Sequence, residues 1–258
     1  MKNPVRNILV VCVLTIFMLA CGLSAPTAAP VVFPPTAAAQ AEPLTLKSNP
    51  FSEESQTPIY KITAQIPYLD PATDPLTQAF NDNLKNIVEG EIAAFKGSMA
   101  EMPAEPIAAG SSLDIQYQLI GQKGNIWSIQ FKVEGYTDGA AHPYHYSIPV
   151  NYDLQTSKDI TLDEVFLPNS NYLQVLSDMS KTELSTRDIG FDGEFQQGAD
   201  PTPENYQNWN VSNEGFLVIT FDEYQVAPYA AGPQIVTIPF SSLGQVMNPQ
   251  GPLAPFLQ

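Results

Sequence analysis

Cysteine is almost absent from this chain. Its 258 residues hold two, Cys12 and Cys21, both close to the N-terminus. The remainder therefore has no thiol for a disulfide or a thiolate metal site, and its fold must stand on a hydrophobic core. Histidine is equally scarce, with only His142 and His145. Positive charge is low as well: 11 Lys and Arg stand against 27 Asp and Glu, a net charge of −16. That excludes nucleic acid as a partner, because phosphate binding needs a basic face. It also disfavours contact between the protein body and anionic lipid. The N-terminal apolar run, Ile8 to Ala20, has 13 residues, short of the ~20 that span a bilayer. No catalytic motif is spelled out.

What is present begins with an export signal. Lys2 and Arg6 precede the apolar run, which ends in Met18-Leu19-Ala20-Cys21-Gly22. A small residue before cysteine marks the site at which a lipoprotein signal (residues 1–20) is removed and Cys21 becomes the lipidated first residue. Ordinary secretion and a retained anchor are the alternatives. The expectation is an extracytoplasmic bacterial protein held to the membrane through lipid on Cys21. Without Lys2 and Arg6, 9 cationic residues face 27 acidic ones, a net charge of −18. Such a surface attracts a cationic partner, although acidity also serves solubility alone.

From Gly22 to Pro43 the chain has five prolines, seven alanines and no charge before Glu42. This composition predicts an extended spacer reaching up to ~70 Å from the membrane. Residues 21–56 are read as linker and 57–258 as one α+β domain, large enough to bury about 70% of its unfolded surface.

Within that domain Ile59 to Pro67 reads as an opening strand. Asp74-Pro75 starts a helix, with Leu76, Phe80, Leu84, Ile87, Val88, Ile92 and Phe95 forming an apolar stripe over about 25 residues. Three alternating strands follow at Ser112–Gly121, Ile126–Gly135 and Tyr144–Asp153, the first two joined as a hairpin. A short helix is expected at Thr161–Phe166 and a longer one at Ser170–Ser185. Gly190–Asn208 reads as a long surface loop. Phe216–Phe221, apolar on both faces, reads as a central strand, and Gln234–Phe240 as the last, with Ser241 capping a closing helix. Strands and helices without strict alternation predict α+β: a mixed or antiparallel sheet, one long packing helix and two shorter ones.

Two constellations draw attention. Gly135–Tyr146 holds both histidines with Tyr136, Tyr144 and Tyr146. Asp138, His142 and His145 are a conceivable metal set, but Pro143 and strand-like flanks argue against a helix that would bring the imidazoles together. The alternatives are a structured turn whose His142 bonds backbone, and a recognition surface in which His142 and Tyr144 give contact area. The second constellation, Phe221–Pro233, contains Asp222-Glu223. These adjacent carboxylates point to opposite sides of an extended chain and suit a shared glycoside substrate poorly. Pro228 stiffens this segment and Tyr229 reads as a presented aromatic anchor, while core packing is preferred for Tyr224.

These residues also carry a resemblance. Tyr60 to Pro67, the helix with Asn81, the Gly139–His142 turn, Ile160-Thr161-Leu162 ahead of Phe166, and Phe221 through Gly232 occur in that order. The pattern resembles the extracytoplasmic domain of RsiV-type anti-sigma factors, which also occurs beside polysaccharide deacetylases in cell-envelope proteins. It covers Thr57 to Leu243, and Tyr224 with Ala227-Pro228-Tyr229-Ala230-Ala231-Gly232 is its most specific part. The resemblance implies an α+β fold and, in the anti-sigma members, binding of lysozyme through the stretch matching Pro228 and Tyr229. Animal-type lysozymes are cationic, which suits the acidic charge.

Two departures matter. Only seven residues precede the apolar run, so no sigma factor is expected as partner. The family turn reads Gly-Gly-Ala-His, and here Ala140 replaces the second glycine, which restricts positive φ. The metal-holding Asp and His-x-x-x-His pair of the deacetylases is lacking too. The expected function is therefore a non-enzymatic, cofactor-free envelope-binding lipoprotein. Its ligand is a cationic protein such as lysozyme or an envelope glycan, taken by Tyr229, Pro228, His142, Tyr144 and Tyr224. A glycan-acting enzyme using Asp138, His142 or Asp222, and a structural accessory protein, are the alternatives.

Overall fold

The computed structural model describes residues 43–100 and 110–257; the expected signal at residues 1–20, Cys21 and most of the Ala/Pro-rich stretch lie outside them. The first strands, β1 (Thr45–Gln56) and β2 (Ile59–Asp70), pair antiparallel along their whole length. The folded part thus starts one strand earlier than Thr57, inside the stretch read as linker. Its half-buried residues, Leu46, Ser48, Phe51, Glu53 and Ser55, change parity at Asn49-Pro50 and are mostly polar, so the segment shows no clean strand alternation.

Asp74 then caps α1 (Pro75–Ala100): its Oδ1 accepts the Leu76 and Thr77 amides at 2.9 and 3.0 Å. The Thr77 hydroxyl and these amides hold the Asp74 carboxyl below the usual carboxylate range. Phe80, Leu84, Val88, Ile92 and Phe95 are buried as the periodicity requires, whereas Leu76 is exposed. Each such burial contributes roughly 1.5–3 kcal/mol. The Asn81 amide clamps the helix to the end of β2, accepting Leu69 N at 2.7 Å and donating to Leu69 O at 3.0 Å.

Because the chain crosses over through α1, β3 (Ser111–Lys123) returns parallel to β2. β4 (Ile126–Tyr136), β5 (Tyr144–Asp153) and the short β6 (Lys158–Asp159) continue antiparallel. Among the described residues this gives a six-stranded mixed sheet in sequential order. Trp127, Ile129, Phe131 and Val133 of β4 share a core with α1.

A second core gathers under α2 (Tyr172–Leu184) and a three-stranded antiparallel sheet of β7 (Trp209–Val211), β8 (Phe216–Phe221) and β9 (Gln234–Pro239). β8 is central in that sheet, as its two apolar faces require. Two expectations fail here. Residues 190–208 are no open surface loop: they carry two 3-10 turns, Gly193–Ala199 and Pro203–Tyr206, and Ala199 and Tyr206 are fully buried. The closing helix α3 (Phe240–Leu243) has Pro239, not Ser241, at its cap position.

The two sheets meet through a buried polar seam. The Ser128 hydroxyl donates to Asn151 Oδ1 at 2.7 Å and accepts Asn210 Nδ2 at 3.0 Å and Val211 N at 2.9 Å. Asn151 Nδ2 reaches Trp209 O at 2.8 Å, and Gln130 Nε2 reaches Thr220 Oγ1 at 2.8 Å. Gly121 permits the approach, since a Cβ there would lie 2.3 Å from Val211 O. The described residues from Pro43 to Leu257 form one compact unit, and the result is the expected α+β class with two sheets instead of one.

Candidate functional site

The β4–β5 connection begins with a tight turn. Ala140 N donates to Thr137 O at 2.9 Å, and Gly139 sits at φ +85°. The turn therefore needs glycine at its third position, where Gly139 stands, and Ala140 falls on the fourth, which any residue fills. The expected restriction at Ala140 does not arise. Asp138 faces the start of β3: its carboxylate accepts Gly110 N at 3.0 Å, and its own amide donates to Ser111 Oγ at 3.0 Å. It is a structural tie, and it joins neither histidine.

The β8–β9 connection is anchored at several points. Val226 and Ala227 are buried. The Gln225 amide donates to Gly198 O and Asn205 O, both at 3.0 Å. Gly198 has no room for a side chain, since a Cβ there would lie 1.8 Å from Gln225 O. Gln234 Nε2 closes the far end by donating to Ala231 O at 2.9 Å. Just before the first anchor Tyr224 takes φ +66°, and between the anchors Tyr229–Ala231 forms a single 3-10 turn after Pro228.

Tyr224 is 56% exposed, so the expectation of core packing is overturned. It stands third in the turn that Gln225 N closes on Asp222 O at 3.1 Å, and the positive φ leaves its side chain on the outside. An aromatic residue in this conformation is uncommon, costs about 1–3 kcal/mol and concentrates at functional sites.

The two connections meet in space. The Tyr229 ring lies 4.0 Å from that of His142 and 5.8 Å from that of Tyr224. His142 Nδ1 lies 2.7 Å from Pro143 O, which only accepts, so Nδ1 carries the proton. In the neutral ring Nε2 then accepts the Tyr224 hydroxyl at 3.1 Å. His142 does bond backbone, and it also holds two tyrosines.

His145 points the same way from β5. Its Nδ1 lies 3.0 Å from Glu223 Oε1, and Nε2 lies 3.6 Å from Glu134 Oε2, its cross-strand neighbour. The adjacent acids diverge as expected. Glu223 turns to His145, while Asp222 turns inward to Asn208 Nδ2 at 3.2 Å. Burial pushes the Asp222 carboxyl above the usual carboxylate range, with Ser147 and Asn208 offsetting part of the effect. Desolvation, then the Glu223 carboxylate, pushes the Tyr229 hydroxyl up, so it stays a neutral donor.

Tyr144 is not part of this cluster. Neighbouring strand residues face opposite sides, and Tyr144 lies with Tyr146 on the face opposite His145. It covers Gly135, where a Cβ would lie 2.0 Å from its ring, and stacks on Tyr146. The Tyr146 hydroxyl bonds Glu91 of α1; burial and that carboxylate push it well above its ordinary range.

The assembled site is an exposed patch of Tyr224, Tyr229, Pro228 and His142, bordered by Glu134, Glu223 and His145. It offers flat aromatic contact area and negative charge. Sequence reasoning missed Glu134, His145 paired with Glu223, and the Gln225 anchor. The strand register that makes Glu134 and His145 neighbours was the available signal.

Comparison with known proteins follows from this fold. Residues 163–241 match the model of a family described as a protein of unknown function, DUF3298. That segment contains Tyr224, Pro228 and Tyr229. Over 169 residues the chain is 27% identical to the peptidoglycan-N-acetylmuramic acid deacetylase PdaC of Bacillus subtilis, covering 65% of this chain and 36% of the deacetylase. Over 105 residues it is 29% identical to an esterase of Mycobacterium tuberculosis, covering 41% of this chain and 45% of the esterase. The chain thus spans less than half the length of either relative. A crystal structure of a DUF3298 family member from Bacteroides fragilis covers 83% of this chain and 97% of its own, with a TM-score of 0.61 at 15% identity. Another, from Pseudomonas aeruginosa, covers 81% and 96%, with a TM-score of 0.56 at 16% identity. At these identities the likeness is one of fold.

Proposed function

We propose that the chain is a membrane-tethered, extracytoplasmic binding lipoprotein, attached through Cys21, whose aromatic patch captures a ligand of the cell envelope. Animal-type lysozyme is the first candidate and a wall glycan the second. The observation that supports this reading is the patch itself. Tyr224, Tyr229 and His142 come from two distant segments, are braced against each other, and stand outside the core with Tyr224 56% exposed. Braced tyrosines lose little entropy on binding and are enriched among residues that dominate interface energetics. Exposed Glu134 at the border, with a chain charge of −16, steers a cationic partner and makes its capture salt-dependent. Similarity to a deacetylase of peptidoglycan supports an envelope setting.

The test is calorimetric titration of the protein with lysozyme at two salt concentrations. Saturable binding that weakens with salt is expected. Tyr229→Ala should weaken it by at least ~2 kcal/mol, and loss of the ring contacts with His142 and Tyr224 costs stability about 0.5–1.5 kcal/mol each, which the melting temperature reads separately. No heat of binding at either salt would withdraw lysozyme. A glycan-acting enzyme is the second reading, suggested by the names of the two relatives. Release of products from peptidoglycan fragments would establish it against the binding role.

A further inference from the structure

A cavity of about 750 Å³ opens between the β5–β6 turn, the segment from Ile160 to Tyr172 and the C-terminal turn at Asn248–Pro252. It shares no residue with the aromatic patch. Its walls are tied together by backbone: Leu167 N donates to Val246 O at 2.7 Å and Asn248 N to Val165 O at 2.9 Å. The cavity is therefore preformed, and its size is that of a small-molecule site.

Its lining is mixed in a particular way. Phe166 is buried and Tyr172 lies parallel on it, with ring centroids 4.5 Å apart and planes 7° apart, which gives a rigid aromatic wall. Four carboxylates, Asp153, Asp159, Asp163 and Glu164, stand against one ammonium, Lys158. Two of the four are engaged in their own turns. Asp153 accepts Gln155 N and Thr156 Oγ1 at 2.9 and 3.0 Å, and Glu164 accepts Thr161 N and Oγ1 at 2.9 and 3.0 Å.

Asp159 and Asp163 are held more lightly. Asp159 has Asn83 Nδ2 at 3.5 Å, and the Asp163 carboxylate acts on the Tyr172 hydroxyl through space, adding to the effect of burial in raising it. Partial desolvation raises the Asp159 carboxyl above its usual range, with the Asn83 amide offsetting part of the effect.

We propose that this cavity binds a saccharide bearing a free ammonium, an amino sugar of one or two rings. The ammonium would lie between Asp159 and Asp163, and the apolar face of the ring would lie against Tyr172. A cation near an aromatic face and two carboxylates is favoured on both counts. Ring hydroxyls find the carboxylates and the polar side chains of Asn169, Asn248 and Gln250, which also line the cavity. A concave volume of this size fits a compact ligand; a single lysine side chain presented by a protein would leave most of it empty.

The experiment is calorimetric titration of the full chain with the β-1,4 disaccharide of glucosamine, its di-N-acetylated form, and a trilysine peptide, with amide chemical shifts followed in parallel. Saturable binding of the free amine is expected, with shifts at Ile160 and Tyr172. Acetylation, which removes the charge, should weaken it at least tenfold, and Asp159→Asn with Asp163→Asn should do the same. The doubly substituted protein keeps the shape of both side chains, and an unchanged circular dichroism spectrum will show that it folds. Equal binding of the acetylated sugar, binding unaffected by the double substitution, tighter binding of trilysine, or no binding would each overturn the proposal. Tyr229→Ala leaves this titration unchanged, so failure here is distinguishable from failure of the aromatic patch.

Discussion

Ser128→Ala cuts the seam that joins the two sheets and so the two halves of the aromatic patch. Ser128 is fully buried, and its hydroxyl makes three bonds at 2.7, 2.9 and 3.0 Å. Alanine removes all three. Asn210 Nδ2 keeps a partner in Ile129 O at 3.0 Å, but Val211 N–H and Asn151 Oδ1 are left buried with their serine partner gone. An abandoned buried polar group costs about 1–3 kcal/mol, so two cost roughly 3 kcal/mol after partial relaxation. For a domain of this size that corresponds to a fall in Tm of about 6–12 °C. Calorimetric melting and urea titration with unchanged m would measure it. A loss below about 1 kcal/mol would refute the reasoning and show the seam to be adaptable rather than fixed.

The remaining expectations concern the edges of the same architecture. A chain beginning at Thr57 lacks β1 and exposes the outer edge of β2; it should melt lower and self-associate by light scattering, whereas one beginning at Pro43 should not. Equal behaviour of the two would make β1 dispensable. Gly198→Ala drives a Cβ to 1.8 Å from Gln225 O, which should cost about 1–3 kcal/mol and weaken ligand binding by displacing Tyr224 and Tyr229; an unchanged Tm would contradict the packing. Asp222 has a folded-state pKa raised by burial, so its contribution is fully present only below the unfolded carboxylate range and is lost as pH rises through the folded value. Asp222→Asn should therefore stabilise the protein relative to the parent near pH 7, with the gap closing toward about pH 3. A gap that widens on acidification would reverse the sign.

The elements that depend on local pattern were legible in the chain. The stripe from Phe80 to Phe95 buried itself because a 3.6-residue period leaves one apolar face and water expels it. Asp74 capped the helix, and β8 became a central strand because Phe216–Phe221 has no polar face to offer solvent. Asp222 and Glu223 diverge as expected, but they stand in the turn that follows β8 and not on extended chain. β1 was not legible, since its polar sequence becomes a strand only through pairing with β2. Nor was the burial of Tyr206 and Ala199, whose cover comes from elements distant in sequence.

The sequence by itself determined the acidity, the absence of thiols beyond Cys21, the α+β mixture and the two aromatic segments, all of which are properties of composition or short-range periodicity. Tertiary structure alone decided that the segments meet, that His142 bridges Tyr224 and Tyr229, and that Tyr144 faces α1 instead. It also put Tyr224 outside at a positive φ. Those outcomes rest on the register of β4 with β5 and on the polar seam between the sheets, and the contacts that bring the two segments together join residues 78 to 90 positions apart, beyond the range of any local pattern.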